Sequence, residues 1–218
     1  MGLDSAYGIG SLKQGVCTST TRPASPFEGQ ILYETDTDMV AIWNGTAWRY
    51  IASTTATSGS ILQVQSTTLA TIWSSSVVSG ASADVTGLSA SITPKSTSSK
   101  VFVTVNMNGM IDVSGSYRPF FAAQLKRGST LIGGGTTAGS RVSINASGGY
   151  SAGPDVNANI SFSYMDSPST TSATTYQVAG WNPFGGTYNL TVNQFAADGD
   201  SSTTGRLSST ITVMEIAG

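Results

Sequence analysis

Histidine is absent from the 218 residues, and cysteine occurs once, at Cys17. Without an imidazole there is no Ser-His or Cys-His nucleophile, no histidine general base and no ordinary zinc site. One cysteine excludes an intrachain disulfide framework. Cys17 is read as a small apolar residue in a loop, with an interchain contact as the other reading. Charge is scarce as well, at 10% of residues against about 25% in an average soluble domain. Ten basic and twelve acidic side chains leave a net charge of −2, so there is no basic footprint for nucleic acid. No apolar run is long enough to cross a membrane, and Met1–Gly10 lacks the charged and apolar regions of a secretory signal, so neither is expected. Helical periodicity is also missing: no window of a dozen residues places apolar positions on one helical face between good helix formers.

What the chain has is serine, threonine and glycine. Ser and Thr together make up 63 residues, Gly adds 25, and hydrophobic residues still reach 39%, enough for a core. β-branched and aromatic residues between Gly-rich turns predict an all-β protein of short strands. Residues 1–26 read as an extended attachment arm, 27–52 as a small β-meander, 53–60 as a Ser/Thr linker, and 61–218 as a C-terminal β-sandwich of jelly-roll type.

In the small module, Gln30–Glu34, Met39–Trp43 and Ala47–Ile51 read as three strands. Thr35–Asp38 is turn chemistry, and Asn44-Gly45 is a hairpin signal with both positions at positive φ. Ile31 and Tyr33 share one face, and Tyr33, Trp43, Trp48 and Tyr50 are the expected packing residues, with Trp48 at the centre. In the larger domain Lys100–Ile111 alternates most clearly, with Val101, Val103, Val105 and Met107 on one side. Further strands are expected at Phe120–Lys126, Thr130–Ile132, Arg141–Ala146, Asn159–Tyr164, Thr175–Ala179, Tyr188–Phe195 and Leu207–Ile216.

Thr21–Ile51 resembles a hairpin module of tailed-bacteriophage virion proteins, through Pro23, Pro26, Gly29, Gln30, Tyr33, Thr35, Asp36, Thr37, Trp43, Asn44, Gly45 and Trp48. Ile61–Gly218 resembles the C-terminal domain of phage tail-fibre proteins. The segments are ILQVQ at Ile61–Gln65, DVTGLSASITPKSTSSKVFV at Asp84–Val103, LKRG at Leu125–Gly128, YMDSP at Tyr164–Pro168, TTYQV at Thr174–Val178 and ITVMEI at Ile211–Ile216. The resemblance implies a structural, non-enzymatic virion protein: a homotrimeric fibre or fibre tip without cofactors. Its N-terminal segment would bind other virion proteins, and its sandwich would meet a host-surface glycan. It would be assembled in the host cytoplasm and exposed on the particle, with no nucleic-acid partner and no membrane insertion. A capsid decoration or head-fibre protein is the alternative role, and a carbohydrate-binding module a further one.

Glu28, Glu34, Asp36 and Asp38 cluster in sequence, and Asp198 and Asp200 flank Gly199, but all read as turn residues rather than a catalytic or metal-binding set. Gly133-Gly134-Gly135 lacks a following Lys-Ser/Thr and reads as a flexible loop tip. Tyr117, Tyr150, Trp181 and Phe184 stand in apparent loops among Ser, Asn and Gly. They are the candidate glycan contacts, because aromatic faces stack on sugar rings. Trp181 and Phe184 also fit a core or subunit-interface role.

Overall fold

The computed structural model describes residues 15–51, 56–113, 116–118, 120–148, 158–195, 199–202 and 205–218, with the backbone alone for 116–118. The described residues hold no helix, and their strands form three sheets, so the protein is all-β as the composition requires. The chain divides into two compact units, Met1–Ala56 and Thr57–Gly218.

The small unit is a four-stranded sheet in the order β1 (Gly15–Cys17), β2 (Ile31–Glu34), β3 (Met39–Trp43), β4 (Trp48–Tyr50). The three strands expected from the sequence are present. The fourth, β1, comes from the stretch read as an arm and pairs parallel with β2, which puts Cys17 in a strand opposite Glu34 rather than in a loop. At the β3–β4 hairpin only Gly45 takes a positive φ, of 89°. Asn44 instead caps a wider turn, its Oδ1 accepting from the amides of Thr46 and Ala47 at 3.0 and 2.8 Å.

The buried face differs from the expected one. Leu32, Glu34 and Ala41 are almost wholly buried, whereas Ile31 is 41% exposed and Tyr33, on the same side, is half-buried. Strand side chains alternate, so the face carrying Leu32 excludes Ile31 and Tyr33 from the interior. Trp48 is therefore not the centre of the unit. It is half-buried and meets Trp43 edge to face, with ring centroids 5.6 Å apart, while Tyr50 is 40% exposed.

The large unit is a two-sheet sandwich. Its larger sheet runs β5 (Ile61–Leu69), β16 (Ser209–Ile216), β8 (Lys100–Val113), β15 (Tyr188–Val192), β6 (Trp73–Val77), with β13 (Ala158–Asp166) and β9 (Ser116–Arg118) on the other side of β8. The smaller runs β11 (Thr130–Ile132), β10 (Ala122–Arg127), β14 (Thr174–Trp181), β7 (Ser82–Ile92), with β12 (Ala146–Ser147) on β10. The chain crosses between the sheets six times. One contiguous core joins the two inner faces. Val101, Val103, Val105 and Met107 of β8 point into it as their alternation requires, opposite Val85, Leu88, Leu125, Tyr176 and Val178 from the smaller sheet.

Arg141–Ala146, expected as a strand, forms one only at its last residue. Residues 57–60 of the presumed linker belong to the sandwich: the Gly59 amide donates to the Ala217 carbonyl at 2.8 Å, and the Ala217 amide returns a bond to Ser60 at 2.8 Å. Two glycines make the core possible. A Cβ at Gly109 would lie 2.7 Å from the Phe121 ring, and one at Gly180 would lie 2.5 Å from the same ring. Phe121 is completely buried between them.

Candidate functional site

Strand β8 measures the long axis of the sandwich. At its start Lys100 pairs with Ile216, beside the place where Ser60 and Ala217 are bonded. At its finish, about 45 Å away for fourteen strand residues, Val113 pairs with Ser116 of β9. The aromatic segments gather at this second end. Tyr117 lies in β9, opposite Asp112. The β14–β15 loop, from Asn182 to Thr187, lies beside it, because Asn189 of β15 also pairs with Asp112.

Asn182 builds that loop. Its Nδ2 donates to the carbonyls of Val77 and Gly186 at 2.8 and 2.9 Å, and its Oδ1 accepts from the Phe184 amide at 3.0 Å. The turn so formed directs Phe184 inward. Its ring meets Phe120 at 5.5 Å and Tyr188 at 6.3 Å, both edge to face, against the core. Of the proposed contact residues, Phe184 therefore serves packing.

Trp181 is not a loop residue. It ends β14 in register with Ala122 and Ser82, on the side of the small sheet turned away from the core. It is half-buried, and its indole N–H is shielded from solvent without a hydrogen-bond partner among the described residues. Tyr117 likewise lies in a strand, its side chain outside the described set, and Tyr150 lies outside the described residues altogether. Ser147 and Gly148, just before Tyr150, bond at this same end, to Ala122 and Phe121.

Sequence reasoning missed the most organised polar chemistry, three buried carboxylates. Asp166, at the end of β13, receives both oxygens' bonds from Arg127 Nη1 at 2.9 and 2.8 Å and a third from the Tyr176 hydroxyl at 2.6 Å. These residues come from YMDSP, LKRG and TTYQV, so three separate motifs meet at one carboxylate. Burial, and then the bond to Asp166, pushes the Tyr176 phenol far above its ordinary value.

Glu215, from ITVMEI, accepts from Gln63 Nε2 at 2.6 Å, from the Lys95 amide at 2.6 Å and from Ser99 Oγ at 2.7 Å. Burial opposes its charge, but these donors outweigh it and hold the carboxyl below the usual glutamate value. In the small unit Glu34 pairs with Arg22 and accepts from Thr37 Oγ1 at 3.0 Å and the Tyr50 hydroxyl at 2.9 Å. The Arg22 bond, against the cost of burial, sets its carboxyl low as well. Glu34 is thus a buried anchor in a strand and not the turn residue expected.

These carboxylates are saturated with donors, and each sits in a separate structural joint. Among the described residues none is paired with a second carboxyl as glycoside cleavage requires. Asp36 accepts from the Ser19 amide at 2.8 Å and from its hydroxyl at 2.5 Å, and Asp38 accepts from Tyr33 in the turn at φ 57°. Among the described residues no group of three or more acidic or cysteine side chains could hold a metal ion; Asp198 lies outside them. Gly133 and Gly134 are not a loose tip, since a Cβ on Gly133 would lie 2.6 Å from the Tyr164 ring. An open cleft of about 410 Å³ lies between Ala70–Ile72, Asn193 and Arg206, but the Asn193 amide is committed to Leu69 and Thr71.

No protein-family model matches the chain, and no curated protein matches it.

Proposed function

We propose that the chain is a structural protein of a tailed-phage virion, a trimeric fibre or fibre tip. Its N-terminal part attaches it to the particle, and its sandwich projects toward a host-surface glycan. One observation carries the reading. The polypeptide enters and leaves the sandwich at the Ser60–Ala217 end, and the aromatic segments stand at the other end of β8. On this reading the tethered end of the sandwich faces the particle and the opposite end faces the host. The resemblance of the motif segments to fibre domains supplies the virion context.

At that end Trp181 is the side chain for recognition, its half-buried ring standing on the outer face of the small sheet beside Ser82. The test has two parts. Antibody-labelled particles viewed by cryo-microscopy should carry the chain on the tail, and label on the shell would move it to capsid decoration. Trp181→Ala should lower adsorption at least tenfold with the trimer intact. Unchanged adsorption would remove Trp181 from the contact surface, and particles lacking the chain would overturn the virion reading.

A further inference from the structure

The outer face of the large sheet carries an apolar row that crosses four strands. Val64 of β5 stands opposite Met214 of β16, which stands opposite Phe102 of β8, which stands opposite Met165 of β13. Directly opposed residues share a face, so these four side chains form one ladder on the side away from the core. Its two ends are open, with Val64 50% and Met165 45% exposed.

The next row is Ser66, Thr212, Thr104 and Ser163, and the one after it Thr68, Thr210, Asn106 and Ser161. These hydroxyls already bond within the face: Ser66 with Thr212 at 2.8 Å, and Ser161 to Asn106 at 2.8 Å. The face is uncharged across all three rows, with Lys100 only at its margin. The opposite face of the sandwich differs. It bears the Lys126–Asp84 ion pair, and Gln124 there is buried and donates to the Ser143 carbonyl.

We propose that this face of the large sheet is where a second copy of the chain docks, as the subunit interface of the trimer; the inference rests on that reading of the assembly. Two observations choose the occupant. The three central rows carry no charge and Lys100 stands only at the margin, so two copies meet over those rows without repulsion and need no partner of opposite sign. Its size also fits. Three rows cross all four strands, and with the partial rows at Ile216–Lys100 and Asn108–Asn159 they span roughly 500 Å² in projection, the larger part of the ~800 Å² per partner of a standard interface. The β5 edge adds to the case. Ile61–Leu69 is a long outer strand with no Lys, Pro or other charge to block association.

The test is light scattering on the full chain and on the double variant Val64→Glu/Met165→Glu. Both positions are half-exposed, so the charges are compatible with the monomer fold. The wild type should run at about three times 22.4 kDa and the variant at 22.4 kDa, with the same circular dichroism spectrum. Leu131→Glu, on the small sheet at 46% exposure, should leave the trimer intact. A double variant that stays trimeric overturns this face while leaving the trimer standing. A monomeric wild type overturns the trimer and the interface together. Dissociation by Leu131→Glu alone places the interface elsewhere and also overturns the proposal. If the double variant misfolds, Ser163→Arg repeats the test at an exposed hydroxyl of the same face.

Discussion

The Tyr176 hydroxyl donates to Asp166 at 2.6 Å, joining the small sheet of the sandwich to the end of a strand in the large one. Arg127 completes the joint from β10. Asp166→Ala would leave the phenol and the guanidinium without an acceptor. The expected loss is about 2–4 kcal/mol, reduced from the fully buried case because Arg127 is one-third exposed. For a domain of this size Tm should fall by roughly 5–15 °C. A change below about 1 °C in calorimetry would show that the joint contributes little.

Acid should loosen both units through their buried glutamates. Glu34 and Glu215 each titrate below the ordinary 4.5 in the folded chain. A depressed carboxyl contributes stability that is full above its unfolded value and lost as pH falls through the folded one. Stability should therefore hold from neutral pH to about 4.5 and decline below it. Glu215→Gln should flatten that decline in the sandwich, and an unchanged acid limb in chemical denaturation would remove Glu215 as its source.

At high pH the sign reverses for Tyr176. Its phenol is raised, so its contribution is present below the ordinary 10.0 and is lost as pH climbs past it. Tyr176→Phe should reduce that alkaline loss, as followed by thermal melts between pH 8 and pH 11.

Gly109 and Gly180 clamp one ring. Gly180→Ala places a methyl 2.5 Å from Phe121 and should cost about 1–3 kcal/mol by overpacking. With Phe121→Leu the two costs should not add, because the smaller side chain makes room. Additive values in a double-mutant cycle would show that the strain is relieved elsewhere.

In the small unit, Leu32→Ala should cost about 2–5 kcal/mol and exceed the effect of Trp48→Ala, since Leu32 is 1% exposed and Trp48 is half-buried. Proteolysis between Gly29 and Ile51 reads the difference. A larger effect at Trp48 would reverse the burial assignment.

The strands were legible where alternation was strong, as along Lys100–Val113, and where Gly or Asn punctuated the chain. Two errors had a common origin. Ile31 and Leu32 are equally apolar, so the pattern could not say which face of β2 is inside; Glu34, buried by Arg22, decided it. Likewise Trp181 sits among Asn, Pro and Gly that signal a loop, yet β14 extends to it through pairing with Ala122 and Ser82. Both outcomes depend on residues distant in sequence. The carboxylate joints were missed for the same reason: Asp166 is unremarkable until Arg127, 39 positions away, closes on it.

The position of β16 sets a timetable for synthesis. It lies between β5 and β8, bonded to both, and is the last sandwich strand to leave the ribosome. Until Ser209–Ile216 emerges, β5 has no partner in the sheet and Glu215 is missing from the Gln63–Ser99 joint. The nascent sandwich must wait with two strand edges open, the state in which chains misassociate. Ordering the sheet is thus deferred until Ser209–Ile216 has emerged, and a chain stopped before Ser209 should be recovered in aggregates rather than as a smaller folded domain.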